Sequence, residues 1–345
     1  MSGIQATLAA IVCAGPLAAA AVVEAIELPV SFEIENTNSS RVPCESDGKS
    51  YTISGYLVAS PAALHSEERA VTLFLHGLGY GEFYWRFQAV PGYDFAAMQA
   101  DAGHASVVID QLGYDSSGHP PGMEVCTGSQ ADVAHQLVTA LRDGSYHIQG
   151  GARLPFARVA LAGHSMGSII AQIEAYSFHD VDALVITGYA DQGQTPLLAS
   201  ESTKTGLACA SGGETGEGGE GGYAYFGQTP EDSEAMMYHR ADPAIIEAAS
   251  AMRNRDPCGL INSAPQALLA NRLELDTIDV PVLIVCAADD ALFGEEGCER
   301  QHELYSGSAD VSTVVVDATG HALALEVTKG QFQDAVSAWM SARGF

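Results

Sequence analysis

The chain has 345 residues, enough for one large domain with an insertion or for two domains, and its 47% hydrophobic content allows a substantial core. Fifteen Lys+Arg stand against 43 Asp+Glu, a formal net charge of −28. That balance argues against nucleic acid or an anionic membrane surface as partner, because holding phosphate needs cationic residues. It favours solubility and suits an extracellular or salt-rich setting.

In chain order, residues 4–12 are mostly apolar and 18–21 are four alanines. Residues 1–25 are therefore expected to be a signal peptide, cleaved after the alanine run or after Ala25, although no Lys or Arg precedes the apolar stretch. The expectation is a secreted protein. No other stretch reaches the roughly 18 apolar residues of a membrane span. Without Cys13 the chain keeps Cys44, Cys126, Cys209, Cys258, Cys286 and Cys298, an even number that admits disulfides and leaves the connectivity open. Cys44 and Cys126 lie in polar loop stretches and are good candidates for bridging. For Cys286, at the end of an apolar strand, a buried free thiol is the alternative. None of these spacings resembles a zinc site.

Residues 30–35 and 51–58 alternate as strands do and should form an antiparallel edge. Short apolar runs at 71–75, 105–109, 158–162, 181–186, 280–286 and 311–316 read as buried strands. Helical stretches fall between several of them, at 93–101, 129–142 and 166–177. Ser129 to Asp132 has the pattern of a capping box. Strands alternating with helices predict an α/β fold: a mostly parallel sheet covered by helices on both faces.

Between residues 188 and 277 this rhythm breaks. Residues 211–222 are acidic and glycine-rich and read as mobile. Two helices should follow, one capped by Asp242 with Pro243 at its first position, another opened by a Ser263/Gln266 capping box. The segment reads as a helical lid inserted in a domain spanning 26–345, with Tyr223, Tyr225, Phe226, Met236 and Met237 available for a pocket or for packing.

The chemistry centres on Gly163-His164-Ser165-Met166-Gly167, preceded by an apolar strand and followed by a helix. This is the G-x-S-x-G nucleophile elbow, in which small residues flank a sharp turn that holds the serine above the sheet. A serine hydroxyl needs a base, and the base needs an acid to fix its tautomer. His321, after the last strand and before the terminal helix, is placed as that base. Asp289 and Asp290, just past the 280–286 strand, are the two candidates for the acid, and Asp290 is preferred. The backbone N–H groups of Met166 and Leu78 are placed to donate to a developing oxyanion. Leu78 lies in His76-Gly77-Leu78-Gly79, directly after the 71–75 strand. His76 and His164 read as structural, and Phe83, Tyr84 and Trp85 as pocket or core.

With these motifs in order, the chain resembles the α/β-hydrolase superfamily over roughly residues 51–345, the 188–277 segment apart. Residues 110–118 also resemble the loop after the fourth strand in that superfamily, whereas Ala287 stands where many members carry glycine. The resemblance implies Ser165 as nucleophile, His321 as base and Asp290 as its orienter. It implies no metal and no organic cofactor. The expected function is hydrolysis of a carboxylic ester or lactone of small or medium size through an acyl-enzyme. Acyl transfer and carbon–carbon bond hydrolysis use the same triad and stay open, as does a non-catalytic ligand-binding protein.

Overall fold

The computed structural model describes residues 25–151 and 153–345; the expected signal peptide lies, but for Ala25, outside them. The chain opens with two long antiparallel strands, β1 (Ile26–Glu35) and β2 (Ser50–Ala59), and the short α1 (Pro61–His65). Then come β3 (Ala70–Leu75), α2 (Phe95–Asp101), β4 (Ala105–Ile109), α3 (Thr127–Asp143) and the two-residue β5 (His147–Ile148). The elbow joins β6 (Arg158–His164) to α4 (Met166–Phe178), and β7 (Ala183–Thr187) follows. After an intervening segment described below, the chain resumes with β10 (Val282–Ala287), α9 (Glu295–Gln301), β11 (Val311–Val316) and α10 (Lys329–Ser341).

Nine strands form one sheet in the order β11-β10-β7-β6-β3-β4-β2-β1-β5, parallel from β11 to β4 and antiparallel through β2, β1 and β5. In β4, β7 and β10 every side chain is buried, as expected of parallel strands covered on both faces. Helices α3 and α4 pack together, while α2 and α10 meet with Phe95 stacked on Phe332 at 5.0 Å. The sheet brings the C-terminal ends of β3, β6, β7 and β10 side by side, and the elbow, the Leu78 loop and the Asp290 loop all leave from that edge.

Between β7 and β10 lie α5 (Pro196–Ala210), a two-residue pair formed by β8 (Tyr223–Ala224) and β9 (Asp256–Pro257), α6 (Pro230–Met237), α7 (Pro243–Ala251) and α8 (Cys258–Glu274). Asp242 caps α7 by accepting from the Ala244 N–H, with Pro243 at the first position. Three sequence expectations change. Helix α3 starts earlier than predicted, capped by Cys126 and closed by a reciprocal bond with Ser129, so Ser129 stands at the third helical position instead of opening the helix. Helix α8 runs through Ser263 without stopping; Ser263 Oγ donates back to the Gly259 carbonyl at 2.7 Å and also accepts from Thr127 N–H at 2.9 Å. A serine facing a buried backbone donor on a neighbouring helix is satisfied there and has no need to cap. The glycine-rich stretch is anchored: Gly216 N–H donates to Glu220 O, Gly122 N–H to Gly221 O and Cys258 N–H to Gly222 O.

The six cysteines pair as Cys44–Cys126, Cys209–Cys258 and Cys286–Cys298. The first pairing joins the two loop cysteines singled out in the sequence. The third ties the end of β10 to α9 and settles Cys286 as a bridged residue. Among the described residues no helix is long and apolar enough to cross a membrane.

Candidate active site

Ser165 sits between β6 and α4 at φ 53°, ψ −116°, a region non-glycine residues avoid. The turn is this tight because its flanks touch. A Cβ on Gly163 would run into the Gly167 carbonyl, and one on Gly167 into the Leu75 and His76 carbonyls. Ser165 N–H donates to Thr187 O at 2.9 Å, tying the elbow to the end of β7. Met166, the first residue of α4, offers an N–H that no earlier turn of the helix can accept from.

His321 follows β11 and is 1% exposed. Its Nδ1 lies 2.8 Å from Asp290 Oδ2, while Asp290 Oδ1 accepts from Leu292 N–H at 2.8 Å and Phe293 N–H at 3.2 Å. Both oxygens of Asp290 are thus fixed, and the imidazole is held through Nδ1. Its Nε2 is buried and has no hydrogen-bond partner among the described residues. Asp289 is different: its carboxylate is half exposed and its neighbour is His239 at 3.7 Å. Geometry brings together His321 and Asp290 and leaves Asp289 aside.

His76 and His164 are fully buried. Burial pushes the His76 ring down to about 4, and its Nε2 accepts from Gln111 N–H at 3.1 Å. Burial, reinforced by His321 and His76, holds His164 well below the usual histidine range. His164 stacks on Tyr84 at 4.3 Å and lies 4.8 Å from His321. Tyr84 and Trp85 are wholly buried core around these rings.

Two carboxylates that the sequence gave no reason to notice hold the loops around Ser165. Asp256, on β9, is fully buried; its Oδ1 accepts from Gly79 N–H at 2.6 Å and Tyr114 O–H at 2.9 Å, and its Oδ2 from Phe226 N–H at 3.1 Å. Asn254 N–H donates to Gly79 O at 3.0 Å, so the residue after Leu78 is gripped at both polar atoms. Glu326 is equally buried, and on the other side of the site it accepts from Gly320, His239 and Arg240 N–H groups at 3.1, 2.6 and 2.8 Å. Ala322 N–H also donates to Met237 O at 2.8 Å. The His321 loop and the Leu78 loop are therefore each bonded to the segment between β7 and β10.

A cavity of about 560 Å³ opens at Ser165, lined by Leu78, Met166, Ile169 and Tyr189, by Leu198, Ala199, Ser202, Thr203 and Gly206 of α5, by Phe226, by Ile261, Pro265 and Leu268 of α8, and by Leu292 and Phe293. No Asp, Glu, Lys, Arg or His lines it. Of the aromatic and methionine residues available for a pocket or for packing, Phe226 lines this cavity. Tyr223 instead donates to Pro120 O, and Met236 and Met237 are buried in packing.

A parallel sheet with a strained serine between strand and helix, and a histidine–aspartate pair at the same sheet edge, defines a hydrolase architecture. A model of the alpha/beta hydrolase family matches residues 72–332, and the chain belongs to that family. Its fold is similar to a thermophilic esterase from Thermogutta terrifontis (17% identity, 90% of this chain and 98% of that one, TM-score 0.62). It is also similar to an esterase from Exiguobacterium antarcticum (17%, 88% and 98%, TM-score 0.60) and a monoacylglycerol lipase from Paleococcus ferrophilus (17%, 80% and 95%, TM-score 0.58). A comparison with curated proteins finds no match.

Proposed function

We propose that this hydrolase cleaves a carboxylic ester or lactone with an uncharged, largely apolar acyl part, through an acyl-enzyme on Ser165. In this reading Ser165 Oγ attacks the carbonyl carbon while His321 Nε2 takes its proton. Asp290 keeps the imidazole in the useful tautomer and stabilises its protonated form. The oxyanion is met by the Met166 and Leu78 N–H groups. His321 then returns the proton to the leaving alkoxide, and water repeats the sequence on the acyl-enzyme. The observation that carries the reading is the buried Asp290–His321 pair, with Nε2 unpartnered, in a fold that also holds an elbow serine in a strained backbone state.

The charge-free cavity supports an uncharged acyl group, and its size suits a small or medium one. Residues 188–277 act as the lid over that cavity: α5, Phe226 and α8 supply one wall of it. Export of the protein is supported by the three disulfides, which persist in oxidising compartments.

Intact mass after a fluorophosphonate probe tests the nucleophile. A single adduct on the wild type that is absent from Ser165→Ala is expected. A folded wild type without an adduct, or an adduct that survives in the variant, overturns the assignment.

A further inference from the structure

On the side of α4 away from the elbow, His135 of α3, Glu174 of α4 and Asp180, two residues beyond α4, converge. One donor atom from each lies within 4.8 Å of the others. His135 Nδ1 is 2.7 Å from Asp180 Oδ2, and the imidazole is fixed by stacking on Phe178 at 4.1 Å between centroids. Glu174 is the unusual member. It is fully buried, and neither carboxylate oxygen has a hydrogen-bond partner among the described residues; Asp180 Oδ1 is buried and unpartnered as well. The guanidinium whose charge reaches Glu174, that of Arg142, is committed elsewhere, donating to the Asp180 and Ala157 carbonyls and to Asp182.

We propose that His135, Glu174 and Asp180 bind a divalent cation, of the zinc or manganese class, that clamps α3 to the C-terminal end of α4. A buried carboxylate without donors is costly, and a donor atom of Glu174 lies within 4.8 Å of one from His135 and one from Asp180. A proton shared between Glu174 and Asp180 serves only those two groups; a cation can serve all three. Both acids also stand at the negative end of α4, where the helix field disfavours carboxylates and favours positive charge. Imidazole with two carboxylates is a donor set for zinc or manganese more than for calcium, which takes oxygen ligands. Donors around a tetrahedral zinc stand about 3.4 Å apart, so the set, spread over as much as 4.8 Å, has to close on the ion. Glu174 is buried, so the closure falls to His135 and Asp180, both part-exposed, whose mutual bond would open to admit the ion.

The test uses the full chain, stripped with EDTA and titrated with zinc, manganese or calcium chloride, with calorimetry and thermal melting as readouts. One equivalent of zinc or manganese should bind the wild type and raise its melting midpoint by about 3–6 °C at saturation. Calcium should do much less. His135→Ala, at a part-exposed position that keeps the helix, should lose the shift, and Glu174→Gln, which keeps the shape, should lose it too. No binding by a folded wild type overturns the proposal in favour of a shared proton. A shift retained in His135→Ala overturns it in favour of another metal-binding group.

Discussion

Every residue of β10 is buried, whereas of the fifteen residues of α5 only Glu201, Thr205 and Cys209 are. The same contrast separates the sheet body from the segment between β7 and β10. The body coheres through apolar area: its strands bury side chains on both faces, and the helices close over them. Cohesion of the segment is more polar and more pointwise. Cys209–Cys258 joins α5 to α8, Thr205 Oγ donates to the Tyr225 carbonyl, and Asp256 and Glu326 bridge to the loops of the body. Area-driven contacts tolerate modest repacking, but a buried carboxylate bonded to backbone amides depends on each bond. The body should hence set whether chemistry occurs, and the segment how well the loops around it are held.

The largest effect should come from the body. Asp290→Asn should lower kcat by about 10⁴-fold, because the imidazole loses its orienting charge and tautomer control. Asp289→Asn, at a half-exposed position, should change kcat less than about threefold. Turnover of a chromogenic ester separates the two, and equal losses would break the assignment of Asp290.

Replacing both Cys209 and Cys258 with serine tests the segment. The bridge closes a sequence separation of 49, so its loss should cost about 3–4 kcal/mol and lower the melting midpoint by about 4–8 °C. Activity should fall in parallel with the loss of order in the segment, ahead of the loss of sheet structure followed by circular dichroism. A single concerted transition would mean that the two regions are one cooperative unit.

Asp256 should give a pH signature. Burial raises its pKa from 3.8 to about 6 despite its three hydrogen bonds. The folded state therefore holds a proton that the unfolded state releases across this window. The contribution of this group to stability is fully present below the unfolded value and is lost as pH rises through about 6. Melting midpoints of wild type and Asp256→Asn between pH 4 and 7 should show a shallower decline in the variant. Parallel curves would remove Asp256 as the titrating group.

The smallest effect lies on the cavity wall. A Cβ added at Gly206 meets nothing within 4 Å, and the residue lines the cavity in the middle of α5. Gly206→Leu should add a few tenths of a kcal/mol of helix stability and raise KM several-fold for long acyl chains, leaving short ones unchanged. An unchanged chain-length profile would place the acyl group elsewhere.

The same contrast explains what was legible in the sequence. Continuous apolar runs such as Leu73-Phe74-Leu75 and Val282 to Cys286 announced the parallel strands, with ends shifted by a residue or two. The elbow was legible because Gly163, Ser165 and Gly167 are required locally by one turn. The pairing of His321 with Asp290 was anticipated from their places after strands, and the two side chains do meet. Asp256 was not, because its reason to exist is Gly79, 177 positions away. Glu326 likewise serves amides 86 and 87 positions off. Cys126 was marked as a bridge partner and escaped notice as a cap, whereas Ser263 carried a cap pattern and satisfies a neighbouring helix instead. Polar residues whose partners are distant in sequence leave no periodic trace.

A cavity without a charged side chain, inside a chain of net charge −28, has a consequence for turnover. A neutral ester enters without electrostatic penalty from the surrounding field. The acid formed from it by the proposed reaction is an anion, and it finds no cationic side chain lining the cavity in a protein of strongly negative net charge. Chemistry itself would thus turn a ligand the protein accepts into one it expels, with a strength that fades as salt screens the surface.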